Sequence, residues 1–212
     1  MLSIIYEDNH LLCLDKPGGL LTQPSGTDRM SLEEQAKAWI KEKYSKPGAV
    51  FLEAVHRIDA SACGIVLFAR TSKALSRLTV AVREGRCSKE YRVLVEGRPK
   101  RASGELRDWL IHDEHRAIVV SQNTNDAKEA VLTYETLEVR GAATLLKVML
   151  GSGRYHQIRA QLANAGCPVV GDGRYGSSLP YKKGCIALQH YCLSIEHPVT
   201  HERMRFTSKI TL

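Results

Sequence analysis

The 212 residues contain no Cys-x-x-Cys pair and no compact grouping of cysteines with histidines. The six cysteines, at positions 13, 63, 87, 167, 185 and 192, stand singly, which excludes a zinc ribbon and leaves no metal site to expect. Cys13, Cys63, Cys87 and Cys167 lie among apolar or strand-forming neighbours, where a reduced cysteine behaves as a small hydrophobe. No apolar run approaches the roughly 18 residues needed to cross a bilayer, and nothing at the N-terminus reads as a signal peptide. A soluble, cytoplasmic protein is therefore expected. Low-complexity segments, internal repeats and long Pro/Ser/Gly-rich or single-sign charged stretches are also missing. The chain offers no place to divide, so residues 1–212 are expected to form one domain. Gly151-Ser152-Gly153 and Gly171-Asp172-Gly173 lack Gly-Lys-Ser/Thr, and no nucleotide cofactor is expected.

What is present is the composition of a packed protein, 43% hydrophobic and 25% charged, enough for a true core. Thirty Lys and Arg stand against 23 Asp and Glu, a net charge of +7. That excess favours a polyanionic partner such as nucleic acid.

Two short strands, Ser3–Tyr6 and Leu11–Asp15, are expected around the turn Glu7-Asp8-Asn9. Ser31 with Glu34 forms a capping box, and Leu32, Ala36, Trp39, Ile40 and Tyr44 recur at helical spacing, with Pro47-Gly48 as the stop. Ser72–Glu84 carries Leu75, Leu78 and Val82 on one face and ends at Gly85, again a helix. Val-, Leu-, Thr- and Tyr-rich strands are expected at Lys89–Glu96, Ala117–Ser121, Val131–Arg140 and Ala143–Leu150, then a helix over Tyr155–Ala165 stopped by Gly166, then short C-terminal strands. Strands outnumber helices and most connections are of hairpin length. The class is α+β with a largely antiparallel or mixed sheet, not repeated βαβ units.

The motifs that carry chemistry are His56-Arg57-Ile58-Asp59, followed by Ser61, Gly64 and the apolar run Ile65–Ala69, and Gly153-Arg154-Tyr155-His156-Gln157-Ile158-Arg159 about a hundred residues later. Between them lies Ser88-Lys89-Glu90-Tyr91-Arg92. Gly171-Asp172 with Tyr175-Gly176 follows, Lys16-Pro17-Gly18-Gly19 stands near the start, and Leu188-Gln189-His190 and His197-Pro198-Val199-Thr200 near the end. In this order the blocks resemble the RluA family of pseudouridine synthases, which isomerise uridine in RNA, and the resemblance spans almost the whole chain.

That resemblance implies a twisted mixed sheet with flanking helices and a central catalytic cleft, and an isomerase that needs neither metal nor organic cofactor. It implies RNA, transfer or ribosomal, as partner; a monomer is expected, since nothing in the sequence demands more. Asp59 becomes the catalytic carboxylate, either nucleophile at the ribose or the base that starts elimination. Arg159 becomes the cation that pairs with the acid and holds it ionised. Tyr91 becomes the ring that stacks on the target base, and Arg57 either enters the RNA stack in place of the extruded uridine or contacts a phosphate. His56 and Arg154 join it as substrate-binding residues. Ala60-Ser61-Ala62-Cys63-Gly64 departs from the family's usual Thr-Ser-Gly run after the acid, with small residues that should preserve the turn. No small N-terminal RNA-binding domain is expected. The competing reading is a catalytically silent RNA-binding module or RNA chaperone on the same fold, in which Asp59 would be dispensable.

Overall fold

The computed structural model describes residues 2–26 and 29–212. In chain order the elements are β1 (Ser3–Glu7), β2 (Leu11–Lys16), α1 (Leu32–Lys43), β3 (Glu53–Ala54), β4 (Cys63–Ala69), α2 (Ser72–Arg83), β5 (Ser88–Glu96), β6 (Ser103–Asp113), β7 (Arg116–Val120), β8 (Lys128–Arg140), β9 (Ala143–Leu150), α3 (Gln157–Asn164), β10 (Leu188–Glu196) and β11 (Arg203–Thr207). They fall into two compact units, Met1–Ser88 with His190–Thr211, and Lys89–Gln189 with Leu212.

In the first unit β2 lies between β1 and β4, each antiparallel to it. β10 follows β4, and β11 pairs with β10. Every residue of β2 and of β4 is buried, because both faces of this sheet are covered. Leu11, Cys13, Ile65 and Leu67 pack towards Ala74 and Leu78 of α2, while Leu12, Leu14, Val66 and Phe68 pack towards Leu32, Ala36 and Ile40 of α1. A strand covered on both sides reads as an unbroken apolar run, and Ile65–Ala69 is that run. Each fully buried Leu or Ile here contributes about 1.5–3 kcal/mol.

The helix ends follow local chemistry. The Ser31 hydroxyl accepts from the Glu34 N–H at 3.3 Å, and the Glu34 carboxylate accepts from the Ser31 N–H at 2.7 Å, completing the capping box. α1 stops at Lys43, earlier than Pro47, because Ser45 adopts the left-handed conformation with φ 46°, a backbone turn that ends helices.

In the second unit the order is β5-β9-β8-β6-β7, all antiparallel. α3 packs on this sheet through Ala160, against Leu110, Ala117 and Ala130. β6 has no counterpart among the expected strands. Its sequence, SGELRDWLIHD, is poor in β-formers, and Leu110 is its one buried residue. Pairing with β7 on one side and β8 on the other makes it a strand, which shows how neighbours override weak propensity. The helix expected from Tyr155 begins two residues later, at Gln157, because His156 is left-handed with φ 48°.

Candidate active site

Asp59 lies half-buried in the loop between β3 and β4 of the first unit. A tight turn carries it. The Ala62 N–H donates to the Asp59 carbonyl at 3.1 Å, the Gly19 N–H to the Ala60 carbonyl at 2.8 Å, and the Thr22 hydroxyl to the Ile58 carbonyl at 3.1 Å. The small residues Ala60, Ala62 and Cys63 thus stand in and just after a tight turn.

Lys16 ties this loop to the preceding one. Its side chain is 0% exposed, and its ammonium donates to the carbonyls of Pro17 (3.0 Å), Leu20 (2.7 Å), Ala60 (3.1 Å) and Ala62 (2.7 Å). An ammonium has three N–H donors, so at least one is shared between two of these oxygens. Lys16-Pro17-Gly18-Gly19, which by itself reads as a turn, is the clamp under the Asp59 loop. Gly64, the first glycine after it, has φ +108°, and a Cβ there would stand 2.3 Å from the His190 carbonyl oxygen; only glycine fits.

His56 is turned towards protein. Its Nε2 accepts from the Leu67 N–H at 3.3 Å, and its ring meets that of His190 edge-on at 5.1 Å. Arg57 is exposed.

The other expected residues belong to the second unit. Tyr91 is 8% exposed on β5, on the same strand face as the buried Val93 and Val95 and opposite Val148 of β9. Arg154 is exposed, its Nε donating to the Glu129 carbonyl at 3.0 Å and its backbone N–H to the Gln157 side-chain oxygen at 3.0 Å. Of the other cations of this unit, Arg174 donates to the His115 carbonyl at 2.6 Å, and the Lys182 ammonium lies 5.5 Å from the centre of the Tyr181 ring.

Arg159 is 5% exposed. Its Nε and Nη2 donate to the two oxygens of Asp172 at 2.6 and 2.9 Å, its Nη1 lies 2.8 Å from His156 Nε2, and its guanidinium carbon stands 4.9 Å from the centre of the Tyr175 ring. Arg159 occupies the first turn of α3, the positive end of the helix dipole, where a cation costs about 0.3–1 kcal/mol. The bidentate, charge-assisted contact with Asp172 offsets that cost. A helix gains nothing from a buried arginine in its first turn, so the placement points to function rather than to packing.

Asp172, His156, Tyr175 and Lys16 received no site role from sequence. A signal existed for the first: an arginine buried in its motif demands a carboxylate, and Gly171-Asp172 is the next acidic position along the chain. Among the described residues no group of three His, Cys, Asp or Glu side chains is arranged to hold a metal ion.

The loop after Asp172 is pinned by Glu96 at the end of β5. Its carboxylate accepts from the Ser178 hydroxyl (2.6 Å) and N–H (2.8 Å), the Leu179 N–H (3.2 Å) and the Ser177 hydroxyl (2.9 Å). These donors, Ser178 foremost, hold its pKa down to about 2 from 4.5. A depressed carboxylate stabilises the folded loop above its unfolded pKa, and that contribution is lost as pH falls through the folded one. Amide exchange at Ser178 and Leu179, corrected for the intrinsic pH dependence of exchange, should therefore show full protection at pH 6 and lose it between about pH 4.5 and 2. Protection unchanged at pH 2 would refute the pin.

Comparison with known proteins decides the family. Residues 10–164 match the model of the RNA pseudouridylate synthase family. The chain belongs to that family. It is 31% identical over 217 residues to the dual-specificity RNA pseudouridine synthase RluA of Haemophilus influenzae, covering 98% of this chain and 93% of the relative. It is 30% identical over 184 residues to the ribosomal large subunit pseudouridine synthase C of Rickettsia prowazekii, covering 85% of this chain and 59% of that protein. Among solved structures, human RNA pseudouridylate synthase domain containing 4 superimposes with a TM-score of 0.82 at 18% identity, over 99% of this chain and 88% of that one. The fold is that of the pseudouridine synthases, α+β with mostly antiparallel strand pairing and flanking helices, and the enzyme is an RNA isomerase by family.

Proposed function

We propose that residues 1–212 act as a single catalytic domain that converts particular uridines of structured RNA, transfer or ribosomal, to pseudouridine, as a monomer in the cytoplasm. Asp59 is the reacting carboxylate. It attacks the ribose at C1′ or takes the proton that begins elimination. The bond from C1′ to N1 breaks, the uracil turns, and C5 bonds to C1′. The C5 proton leaves to solvent and N1 gains one, so atoms balance without redox change or hydrolysis. Tyr91 stacks on the detached base, and Arg159 is the cation that keeps the acid ionised. Arg57, with His56 and Arg154, assists the RNA. Extrusion of the uridine is required because its reacting atoms are inaccessible within a stack.

The observation that carries this reading is that the family match, residues 10–164, takes in Asp59, Tyr91 and Arg159 together. The clamped loop under Asp59 and the buried position of Arg159 support it. The test is release of tritium from RNA labelled at C5 of uridine, with transfer RNA and ribosomal RNA as separate pools. Release from one pool names the substrate class. No release from either, with RNA binding that weakens steeply with salt, would instead support a silent binding module.

A further inference from the structure

The pairings of the buried imidazole of His156 assign its protons. A guanidinium carries only donors, so the 2.8 Å contact between Arg159 Nη1 and His156 Nε2 requires the lone pair on Nε2. In the neutral ring the proton then sits on Nδ1, 3.1 Å from the Tyr175 hydroxyl oxygen. That oxygen also receives the Ala117 N–H at 2.7 Å, and its own proton is directed to the Ala117 carbonyl at 3.3 Å. The edge strand β7 thus fixes the Tyr175 hydroxyl, the hydroxyl and Arg159 demand the same tautomer of His156, and the histidine in turn holds the Nη1 edge of Arg159. Asp172 grips the other edge, through Nε and Nη2.

We infer that His156 and Tyr175 are positioning residues for Arg159: together they hold a neutral, Nδ1-protonated imidazole that orients the guanidinium for the reaction. This rests on the role given to Arg159 above. Two features argue for a purpose beyond packing. His156 adopts φ 48°, a conformation unfavourable for a non-glycine residue. It nevertheless sits 8% exposed, one residue before α3, with its ring stacked on Tyr155 at 3.8 Å between centroids. Packing alone would be served by a residue suited to that backbone, such as glycine or asparagine. The imidazole offers an acceptor to Arg159 and a donor to Tyr175 at once, across the width of a rigid ring.

The test joins a spectroscopic and a kinetic readout. In the 15N-labelled protein at pH 7.5, the two-bond 15N–1H pattern of the His156 ring, assigned by its loss in His156→Gln, should be that of the single Nδ1–H tautomer. Tyr175→Phe, which removes the acceptor of the Nδ1 proton but leaves the Arg159 contact, should keep that tautomer and move the Nδ1–H proton resonance upfield. An Nε2–H or doubly protonated ring in the native protein, or an Nδ1–H proton unmoved in Tyr175→Phe, overturns the inference. In single-substrate kinetics His156→Phe should lower kcat about 10- to 100-fold with KM for RNA nearly unchanged, as expected of a misplaced catalytic group. His156→Gln, whose amide oxygen can replace the Nε2 acceptor under the same backbone demand, should recover much of that loss. Equal impairment of both variants with native thermal midpoints would overturn it too. If the native protein releases no tritium from any RNA, the isomerase reading fails, while the ring spectrum still decides the hydrogen-bond assignment.

Discussion

Asp59→Asn should abolish pseudouridine formation, with tritium release lowered by at least about 10⁴-fold, as when the reacting group of a covalent catalyst is removed. The substitution keeps shape and volume while removing charge and basicity. The turn around the residue uses the Asp59 backbone carbonyl, which accepts from the Ala62 N–H, and the Lys16 clamp grips the carbonyls of Ala60 and Ala62. None of these bonds involves the carboxylate, so the loop should stay in place. Thermal midpoint, RNA affinity and the salt dependence of binding should remain close to native. Tritium release at the native rate by Asp59→Asn would remove the carboxylate from the mechanism and leave the fold as an RNA binder with another reacting group.

Lys16→Met should produce a large loss of stability in the first unit. Methionine follows the lysine stem but has no donor, so the carbonyls of Pro17, Leu20, Ala60 and Ala62 lose their shared partner. Leaving a buried acceptor unsatisfied costs about 1–3 kcal/mol. Partial relaxation and entering water limit the sum, and a total of roughly 3–5 kcal/mol is expected, comparable to breaking a buried ionic contact. The urea midpoint reports it. Activity should fall with it even where the protein remains folded, because the two loops joined by the ammonium are those around Asp59. Faster amide exchange at Gly19 and Ala62, whose N–H groups bond to Ala60 and Asp59, would locate the damage. A shift under about 1 kcal/mol would mean that the four carbonyls find water at little cost, and that the clamp is not what orders the loop.

Much of the fold was legible because periodicity and local signals agreed. The capping box at Ser31 and Glu34, the glycine stop after α2 and the unbroken apolar run of β4 each rest on neighbouring residues. β6 was not legible. It is a strand through partners on both sides, and nothing in Ser103–Asp113 alternates strongly enough to announce it. The start of α3 is displaced because His156 takes a left-handed conformation that its residue type does not announce, while its ring meets Arg159 and Tyr175.

The candidate site divides in the same way. His-Arg-Ile-Asp and the Gly-Arg-x-His-Gln-Ile-Arg block mark Asp59, Arg57, Arg154 and Arg159 as candidates, because the proposed chemistry needs particular residue types. The residues that hold them in place were silent, since their role depends on distance in space. Lys16 lies 44 and 46 residues from two of the carbonyls it binds. Asp172 is 13 residues from Arg159, and Tyr175 is 58 from Ala117.

By itself, then, the amino-acid sequence determined the fold class and the family, because these are written in composition, periodicity and motif. Tertiary structure alone decided which partner each buried polar group has: four carbonyls for Lys16, a carboxylate and an imidazole for Arg159. The reason is the high cost of leaving a buried donor or charge unpaired. That cost obliges each one to be satisfied but does not say by which residue, and only the path of the folded chain brings the partner within reach.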